Sequence, residues 1–183
     1  MRERCPHIRA GEVKRLTVLR HAKSSWDDSH LEDFNRPLNE RGWEAARRMG
    51  RELEKRGMKF DIVIASPAAR VRETIDGLTE ELELNVEIRF EPRMYGASEE
   101  MLLKIVRDLP ESAHAPLLVG HNPGLQQLVV ELTQKDNNGL RSRAQHKFPT
   151  AALATIELPE RRWAQVKPGS GTIAELILPK ELD

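Results

Sequence analysis

The 183-residue sequence contains a single cysteine, Cys5, and has no net charge, because 29 basic residues balance 29 acidic ones. One cysteine excludes an internal disulfide, and no catalytic-cysteine motif surrounds it. The balanced charge argues against a nucleic-acid-binding protein, since such proteins need a clustered basic surface that releases counterions. One local basic cluster, Arg141 and Arg143 near His146 and Lys147, is interpreted as a solvated loop.

Long apolar runs are also missing. No segment reaches the roughly 18 apolar residues of a membrane span, and the first dozen residues are charged and lack the apolar centre of a secretion signal. We therefore expect a cytoplasmic protein with no membrane partner. Residues 1–13 are expected to form a flexible leader, and residues 14–183 a single domain with a sizeable core.

Short apolar runs and amphipathic segments alternate along most of the chain. The first four predicted strands are each followed by a predicted helix, and two further strands come late in the sequence. The strands are predicted at 15–19, 60–65, 86–90, 117–120, 150–158 and 172–178. This order predicts an α/β fold, a three-layer α/β/α sandwich with a mostly parallel sheet and an antiparallel pair near the C-terminus.

Helix starts and ends are predicted from capping residues. Asn39, Ser66, Ser98 and Asn122 are interpreted as N-caps, and proline follows two of them at the favoured first helical position. Gly57 suits the left-handed residue that ends the first helix, which we place over about 40–56.

Arginine and histidine side chains cluster where predicted strands end. Arg20 and His21 end the first strand, and His121 ends the fourth. Arg70 lies one turn into the helix after the second strand, on the same helical face as Ser66. Because ligands of parallel α/β sheets bind outside the carboxyl ends of the strands, we expect these side chains to meet there.

Two arginines and two histidines in one small volume favour a phosphate ligand. Guanidinium groups and helix N-termini bind phosphate oxygens, and nearby positive charge keeps a histidine neutral and nucleophilic. The arginines and the second histidine supply the positive charge, so no metal or other cofactor is required. Zinc is further disfavoured because none of the six histidines forms an HxxH or HExxH spacing.

The sequence resembles the histidine phosphatase superfamily, the phosphoglycerate-mutase-like group, and within it the short SixA-type phosphohistidine phosphatases. The resemblance covers about residues 15–178, and its motifs are specific as an ordered set. They are Arg20-His21-Ala22 for the family's Arg-His-Gly, Arg36-Pro37-Leu38 followed by Gly42, the pattern Ser66, Arg70 and Thr74, and His121 within GHNPG.

The resemblance implies a role for each matched residue. His21 would be the nucleophile that forms a transient phosphohistidine. Arg20 and Arg70 would clamp the phosphoryl group, and His121 would stabilise the transferring oxygens. Substrate-binding roles would fall to three further residues, each of which also has a structural interpretation in its loop or cap: Ser24, Arg36 and Asn122.

Two features depart from the family pattern. Ala22 stands where the family has glycine, so a left-handed backbone would be unfavourable there. The mutase branch carries a donor glutamate near a Tyr-Gly pair. Glu91, four residues before Tyr95, is the candidate general acid here, and Asp27 and Asp28 are further candidates that also read as solvated carboxylates.

The weak evidence for an acid bears on the substrate. An alkyl phosphate needs a proton delivered to its leaving oxygen, whereas a phosphoramidate such as phosphohistidine has a readily protonated leaving nitrogen. We therefore predict a metal-independent phosphatase whose partner is a protein carrying phosphohistidine. Two alternatives stay open: a phosphatase or mutase of small phosphorylated metabolites, and a non-catalytic module that binds a phosphorylated ligand.

Overall fold

The computed structural model of the protein describes residues 13–135 and 139–182. The predicted leader and Cys5 therefore lie outside the described residues, apart from Val13. The division into a leader and one domain stays a prediction. No helix in the two described stretches has the length and apolar character needed to cross a membrane.

Strands and helices alternate through the first two thirds of the chain, as predicted. The strands are β1 (Lys14–Arg20), β2 (Ile62–Ala65), β3 (Glu87–Phe90), β4 (Pro116–Gly120), β5 (Leu153–Leu158) and β6 (Thr172–Ile177). The helices are α1 (Glu40–Lys55), α2 (Ala69–Thr79), α3 (Glu99–Arg107), α4 (Gly124–Leu132) and α5 (Leu140–His146). Short 3₁₀ turns lie at Asp33–Asn35, Pro92–Met94, Trp163–Gln165 and Pro179–Glu181.

All six strands form one sheet in the order β3-β2-β4-β1-β5-β6. The four strands β3, β2, β4 and β1 are parallel, and β5 pairs antiparallel with both β1 and β6. Arg20 is in register with Gly120, and Ala65 with Val119, so three parallel strands end at the same edge. The predicted mixed sheet and the late antiparallel pair are confirmed.

Helices cover both faces of the sheet because each face presents apolar side chains that must leave water. Along β1, Leu16 and Val18 pack into a layer with α3 and α4, whereas Leu19 packs on the opposite face with α1 and α2. The three-layer α/β/α sandwich predicted from the sequence is therefore confirmed.

The first helix has the ends predicted from the sequence. The Asn39 side chain accepts a hydrogen bond from the Gly42 backbone N–H, and Gly57 follows the helix with φ +62°. A Cβ atom at Gly42 would lie 2.1 Å from the carbonyl oxygen of Lys23. Glycine at this position thus allows the start of α1 to pack against the loop that follows β1.

Two predicted N-caps are wrong. Helix α2 begins at Ala69 rather than directly after Ser66, and α4 begins at Gly124 rather than directly after Asn122. The Ser66 hydroxyl instead hydrogen-bonds His121, and the Asn122 amide donates to the backbone ahead of β5. Tertiary contacts therefore take the polar groups that the local pattern assigned to helix capping.

The interpretation of the basic cluster as a solvated loop is right about exposure, since Arg143, His146 and Lys147 are exposed, but the loop assignment is wrong. Arg141, Arg143 and His146 lie in α5, which ends just before Lys147 and whose Ala144 is buried in the same apolar layer as α4. The Arg141 guanidinium donates to the carbonyl oxygens of Val130 and Thr133 at the end of α4. A short helix with one buried small residue has too little apolar periodicity to be recognised from sequence.

Candidate active site

The four side chains predicted to share a site do so in the structure. Arg20 and His21 follow β1, and His121 follows the adjacent strand β4, with the two imidazole centroids 5.2 Å apart. Arg70, in the first turn of α2, lines one open cavity together with Arg20, His21 and Arg36. The parallel register of β1, β2 and β4 thus delivers these groups to one edge of the sheet.

His21 is buried in its neutral form with one nitrogen free to react. Its Nδ1 lies 2.6 Å from the carbonyl oxygen of Ala22, which only accepts hydrogen bonds, so the proton is on Nδ1 and Nε2 carries the lone pair. The pKa of His21 is lowered to about 4, and burial is the largest cause. The charges of Arg70 and Arg20 contribute to this lowering, against the raising effect of the bond to Ala22.

His121 is held by a fully buried serine. Its Nε2 lies 2.8 Å from the Ser66 Oγ, while its Nδ1 is buried and has no hydrogen-bond partner. Burial, and then the neighbouring charges of His21 and Arg70, lower the pKa of His121 to about 3. The ring edge of Tyr95 packs against it with centroids 5.5 Å apart. Both imidazoles of the site are therefore neutral at pH 7.

Arg20 and Asn122 share one backbone acceptor and leave other atoms unpaired. Arg20 Nη1 and Asn122 Nδ2 donate to the Phe148 carbonyl oxygen at 3.0 and 2.9 Å. Arg20 Nε and Asn122 Oδ1 are buried and have no hydrogen-bond partner. Buried polar atoms in native proteins are nearly always satisfied, so the unpaired Nε of Arg20, a residue that lines the cavity, indicates a place for a ligand.

Asp33 links the arginines of the site, which sequence reasoning missed. Its carboxylate accepts from Arg70 Nη2 at 2.9 Å, Arg36 Nη1 at 2.7 Å and the Tyr95 hydroxyl at 2.8 Å. Partial burial alone would raise the pKa of Asp33, but the hydrogen bonds from Tyr95 and Arg70 bring it down to about 2. The spacing of three residues between Asp33 and Arg36 was the available sequence signal.

Arg36 and Ser24, both predicted to bind substrate, contact one another beside this cluster. Arg36 Nη2 donates to the Ser24 Oγ at 2.8 Å, and its Nε donates to the Ser25 carbonyl oxygen. The Arg36 guanidinium stacks on the exposed Trp26 ring, 3.2 Å from the ring centroid. Ser24 therefore orients Arg36, and its own role in substrate binding stays a prediction.

The backbone around His21 is fixed by two neighbouring segments. The Ala22 N–H donates to Thr74 Oγ1 at 2.9 Å, which assigns a contact to the threonine of the family pattern. Ala22 has no positive φ; among the described non-glycine residues that feature belongs to Ala151 alone, at +59°. The Ala151 N–H approaches the carbonyl oxygens of Arg20 and His21 at 3.1 Å. Alanine in place of the family glycine is thus accommodated.

The predicted acids are held elsewhere. The Glu91 carboxylate accepts from Arg93 Nε and Nη2 at 3.0 Å each, and that pairing lowers its pKa, the opposite of what a proton donor needs. Asp27 and Asp28 accept hydrogen bonds within their own loop. A general-acid role for Glu91 stays a prediction that this geometry does not favour.

No candidate metal site is found in residues 13–135 and 139–182. Within these ranges no group of three or more His, Cys, Asp or Glu side chains is arranged to hold an ion.

Comparison with known proteins identifies the family. The family model of the histidine phosphatase superfamily (branch 1) matches residues 16–116. This chain belongs to the histidine phosphatase superfamily. An uncharacterised protein of Mycobacterium tuberculosis is 28% identical over 164 residues, which covers 88% of this chain and 100% of the relative.

Solved structures of superfamily members share the fold. A candidate phosphohistidine phosphatase SixA from Nakamurella multipartitia superposes with a TM-score of 0.80 at 24% identity, covering 91% of this chain and 96% of that one. Another candidate SixA, from Agrobacterium tumefaciens, gives a TM-score of 0.75 at 26% identity, with 91% and 99% coverage. Within the superfamily, this chain is therefore close to the SixA group, and its membership of the family supports a phosphatase activity.

Proposed function

We propose that this superfamily member removes the phosphoryl group from phosphohistidine in a protein, through a covalent intermediate on His21. One observation carries the choice of substrate. Two carboxylates at this edge of the sheet, Asp33 and Glu91, are paired with arginines and have lowered pKa values. Neither is suited to protonate the leaving oxygen of an ester, whereas phosphohistidine does not need that proton from the enzyme.

The first step transfers the phosphoryl group to His21. Its Nε2 lone pair attacks phosphorus while the P–N bond of the substrate breaks, and that electron pair goes to the substrate ring nitrogen. A substrate ring already protonated on its other nitrogen leaves as neutral imidazole. Arg20 and Arg70 neutralise the phosphoryl oxygens during transfer, because guanidinium donors bind them in pairs.

His121 supplies a further donor in this mechanism. When the Ser66 hydroxyl donates to His121 Nε2, the imidazole proton lies on Nδ1, the buried atom that has no protein partner. Nδ1–H then donates to the equatorial oxygens, where the charge of the transition state is spread. Ser66 is thus a positioning residue that sets the tautomer of His121.

The second step returns the enzyme to its starting state. Water attacks the phosphorus of phospho-His21, the P–N bond breaks, and its electron pair returns to Nε2. The water keeps one proton on its own oxygen and passes the other to a phosphate oxygen, so that dihydrogen phosphate is released and His21 is neutral again. The cavity beside His21 is open to solvent, which supports entry of water and of a histidine on another protein.

The test is a phosphate-release assay in the presence of a chelator. It compares a phosphohistidine-bearing phosphotransfer protein with a set of phosphate esters, for the wild type, His21→Ala and the control His114→Ala. His114 lies beside Asp61 at the opposite edge of the sheet. We expect preferential release from phosphohistidine, reduced at least about 1,000-fold by His21→Ala and unchanged by His114→Ala.

Two other outcomes would replace this proposal. Preferential release from an ester indicates a metabolite phosphatase. In that case Glu91→Gln shows whether Glu91 is its acid, since unchanged ester hydrolysis excludes that role. Phosphate binding without turnover, unaffected by His21→Ala, indicates a binding module instead.

A further inference from the structure

A carboxylate sits among the cations of the site. Asp33 is bound by Arg36 and Arg70, two guanidiniums whose side chains are about 8% exposed, while its own side chain is 53% exposed. The arginines fix the carboxylate from the protein side, and its other side faces solvent. A negative charge at this place is unexpected in a site that binds only a phosphate dianion, because like charges repel.

Aromatic contacts connect Asp33 to the two histidines. The Tyr95 hydroxyl donates to Asp33 Oδ2, and the Tyr95 ring packs edge-on against His121, whose ring lies 5.2 Å from that of His21. Phe34 also packs against Tyr95, with ring centroids 5.1 Å apart. The carboxylate is thus held one aromatic ring away from the imidazole pair.

The carboxylate has unused capacity for hydrogen bonding. Two ionised oxygens offer about four acceptor positions, and the protein fills three of them. Oδ2 receives Arg70 and Tyr95, whereas Oδ1 receives a side-chain donor from Arg36 alone. One acceptor position on a partly exposed oxygen therefore remains for a donor that enters with the substrate.

We propose that Asp33 determines the specificity of the site for the charge of the leaving group. It accepts a hydrogen bond from an N–H group on a cationic or protonated leaving group, and it repels substrates that carry a second anionic group beside the phosphoryl group. The inference rests on the proposed function in that protonated phosphohistidine is a substrate of this kind. Phosphorylated carboxylic acids are the class that Asp33 excludes.

The proposed charge selection by Asp33 adds no proton transfer to the chemical step. The substrate ring keeps the proton it brought on the nitrogen remote from phosphorus, and Asp33 accepts a hydrogen bond from that N–H. Asp33 carries the same charge before and after transfer, because no proton moves to it. The arginine and tyrosine donors keep it ionised, and its low pKa agrees with this arrangement.

Two ligands of matched size test the proposal without requiring turnover of phosphohistidine. O-phosphoethanolamine carries an ammonium group two carbons from its phosphate oxygen, and 2-phosphoglycolate carries a carboxylate there. Their affinities are measured by calorimetry in a His21→Ala background, with Asp33 intact, with Asp33→Asn and with Glu32→Gln. The control Glu32→Gln removes one negative charge, as Asp33→Asn does, but at the adjacent exposed residue. Melting curves confirm that each variant is folded.

We expect the protein with Asp33 to bind O-phosphoethanolamine at least about tenfold more tightly than 2-phosphoglycolate. Asp33→Asn reduces that ratio about tenfold, and Glu32→Gln leaves it within about twofold. An equal change in both affinities on Asp33→Asn shows that Asp33 only positions Arg70 and overturns the inference, as does an unchanged ratio.

A separate assay keeps this result distinct from the proposed function. Release from phosphohistidine is measured in parallel on the chain with His21 intact. No release, combined with a charge preference that depends on Asp33, refutes the proposed substrate and retains the specificity role. Release that is indifferent to Asp33→Asn, together with an unchanged ligand ratio, retains the proposed function and removes Asp33 from it.

Discussion

Strand β1 carries a basic residue at each end, and the two differ in how fully the protein supplies partners for their charged groups. At the amino end, Lys14 is 2% exposed; its Nζ donates to the Ala113 carbonyl oxygen at 3.2 Å and lies 3.6 Å from the Glu111 carboxylate. The Trp163 ring lies beneath it at 4.7 Å. At the carboxyl end, Arg20 has a buried Nε without a partner.

The difference separates a structural cation from a functional one. Burying a charge is costly unless partners replace water, and Lys14 has a carbonyl, a carboxylate and an aromatic face to do so. Arg20 has one carbonyl oxygen, and two neutral histidines lie nearby. The carboxyl edge is thus incompletely satisfied by the protein itself, which is the condition expected of a preorganised anion site.

The largest predicted effect breaks the functional end. Arg70→Lys removes the forked geometry but keeps the charge, and we expect kcat/KM to fall about 100- to 1,000-fold. The matched control is Arg72→Lys on the same helix, where the exposed guanidinium donates to the Pro67 carbonyl oxygen. Steady-state phosphate release measures both. A loss below about tenfold for Arg70→Lys contradicts the clamp role.

A second prediction sharpens the electrostatic difference. The pKa of His21 is about 4, lowered first by burial and then by the charges of Arg70 and Arg20. Since protonation begins only as the pH falls toward that value, the His21 ring should stay neutral from pH 7 to about pH 5. An unperturbed histidine would instead take up its proton near pH 6.5. NMR titration of the ring carbon and proton shifts measures the midpoint.

Two Arg70 variants separate charge from burial in this titration. Arg70→Met should raise the midpoint of His21 only in part, because burial is the larger cause, and Arg70→Lys should leave it near the wild-type value. A wild-type midpoint near 6.5 would show that the site does not keep its nucleophile neutral, and the mechanism proposed for His21 would lose its electrostatic basis.

The sequence predicted the parts of the site that local patterns specify. Arg20, His21 and His121 are placed by the ends of apolar runs, and Arg70 by helical spacing, so parallel strand order alone brings them together. Their catalytic roles stay predictions. The pairing of Asp33 with Arg70 spans 37 positions between a loop and a helix, and no periodicity indicates such a contact.

Local patterns also misplaced polar groups where tertiary contacts compete. Ser66 has the sequence context of an N-cap, yet its hydroxyl binds His121 on a neighbouring strand end. Asn122 has the same context, and its amide binds the Phe148 carbonyl oxygen. Both wrong N-cap predictions concern residues of the candidate site, where side chains form hydrogen bonds with other site residues and with distant backbone groups and do not cap their own helix.

The smallest predicted effect is a change in the free energy of unfolding. The variants Lys14→Met and Arg20→Met compare this change directly at the two ends of β1. Methionine keeps much of the apolar stem in both cases and removes the charge. Each substitution also leaves its former carbonyl acceptor with one donor, since Trp163 Nε1 still donates to Ala113 and Asn122 Nδ2 to Phe148. The two variants therefore differ mainly in how many hydrogen-bonding and charged partners the removed cation had in the wild type.

We expect Lys14→Met to lower the free energy of unfolding by about 1–2 kcal/mol and to leave phosphate release unchanged. Arg20→Met should leave that free energy unchanged or raise it by up to about 1 kcal/mol, because an incompletely paired cation is removed, while phosphate release is lost. Urea unfolding and the release assay measure both quantities. If Arg20→Met costs as much stability as Lys14→Met, the protein itself satisfies Arg20, and the unpaired Nε is no sign of a ligand site.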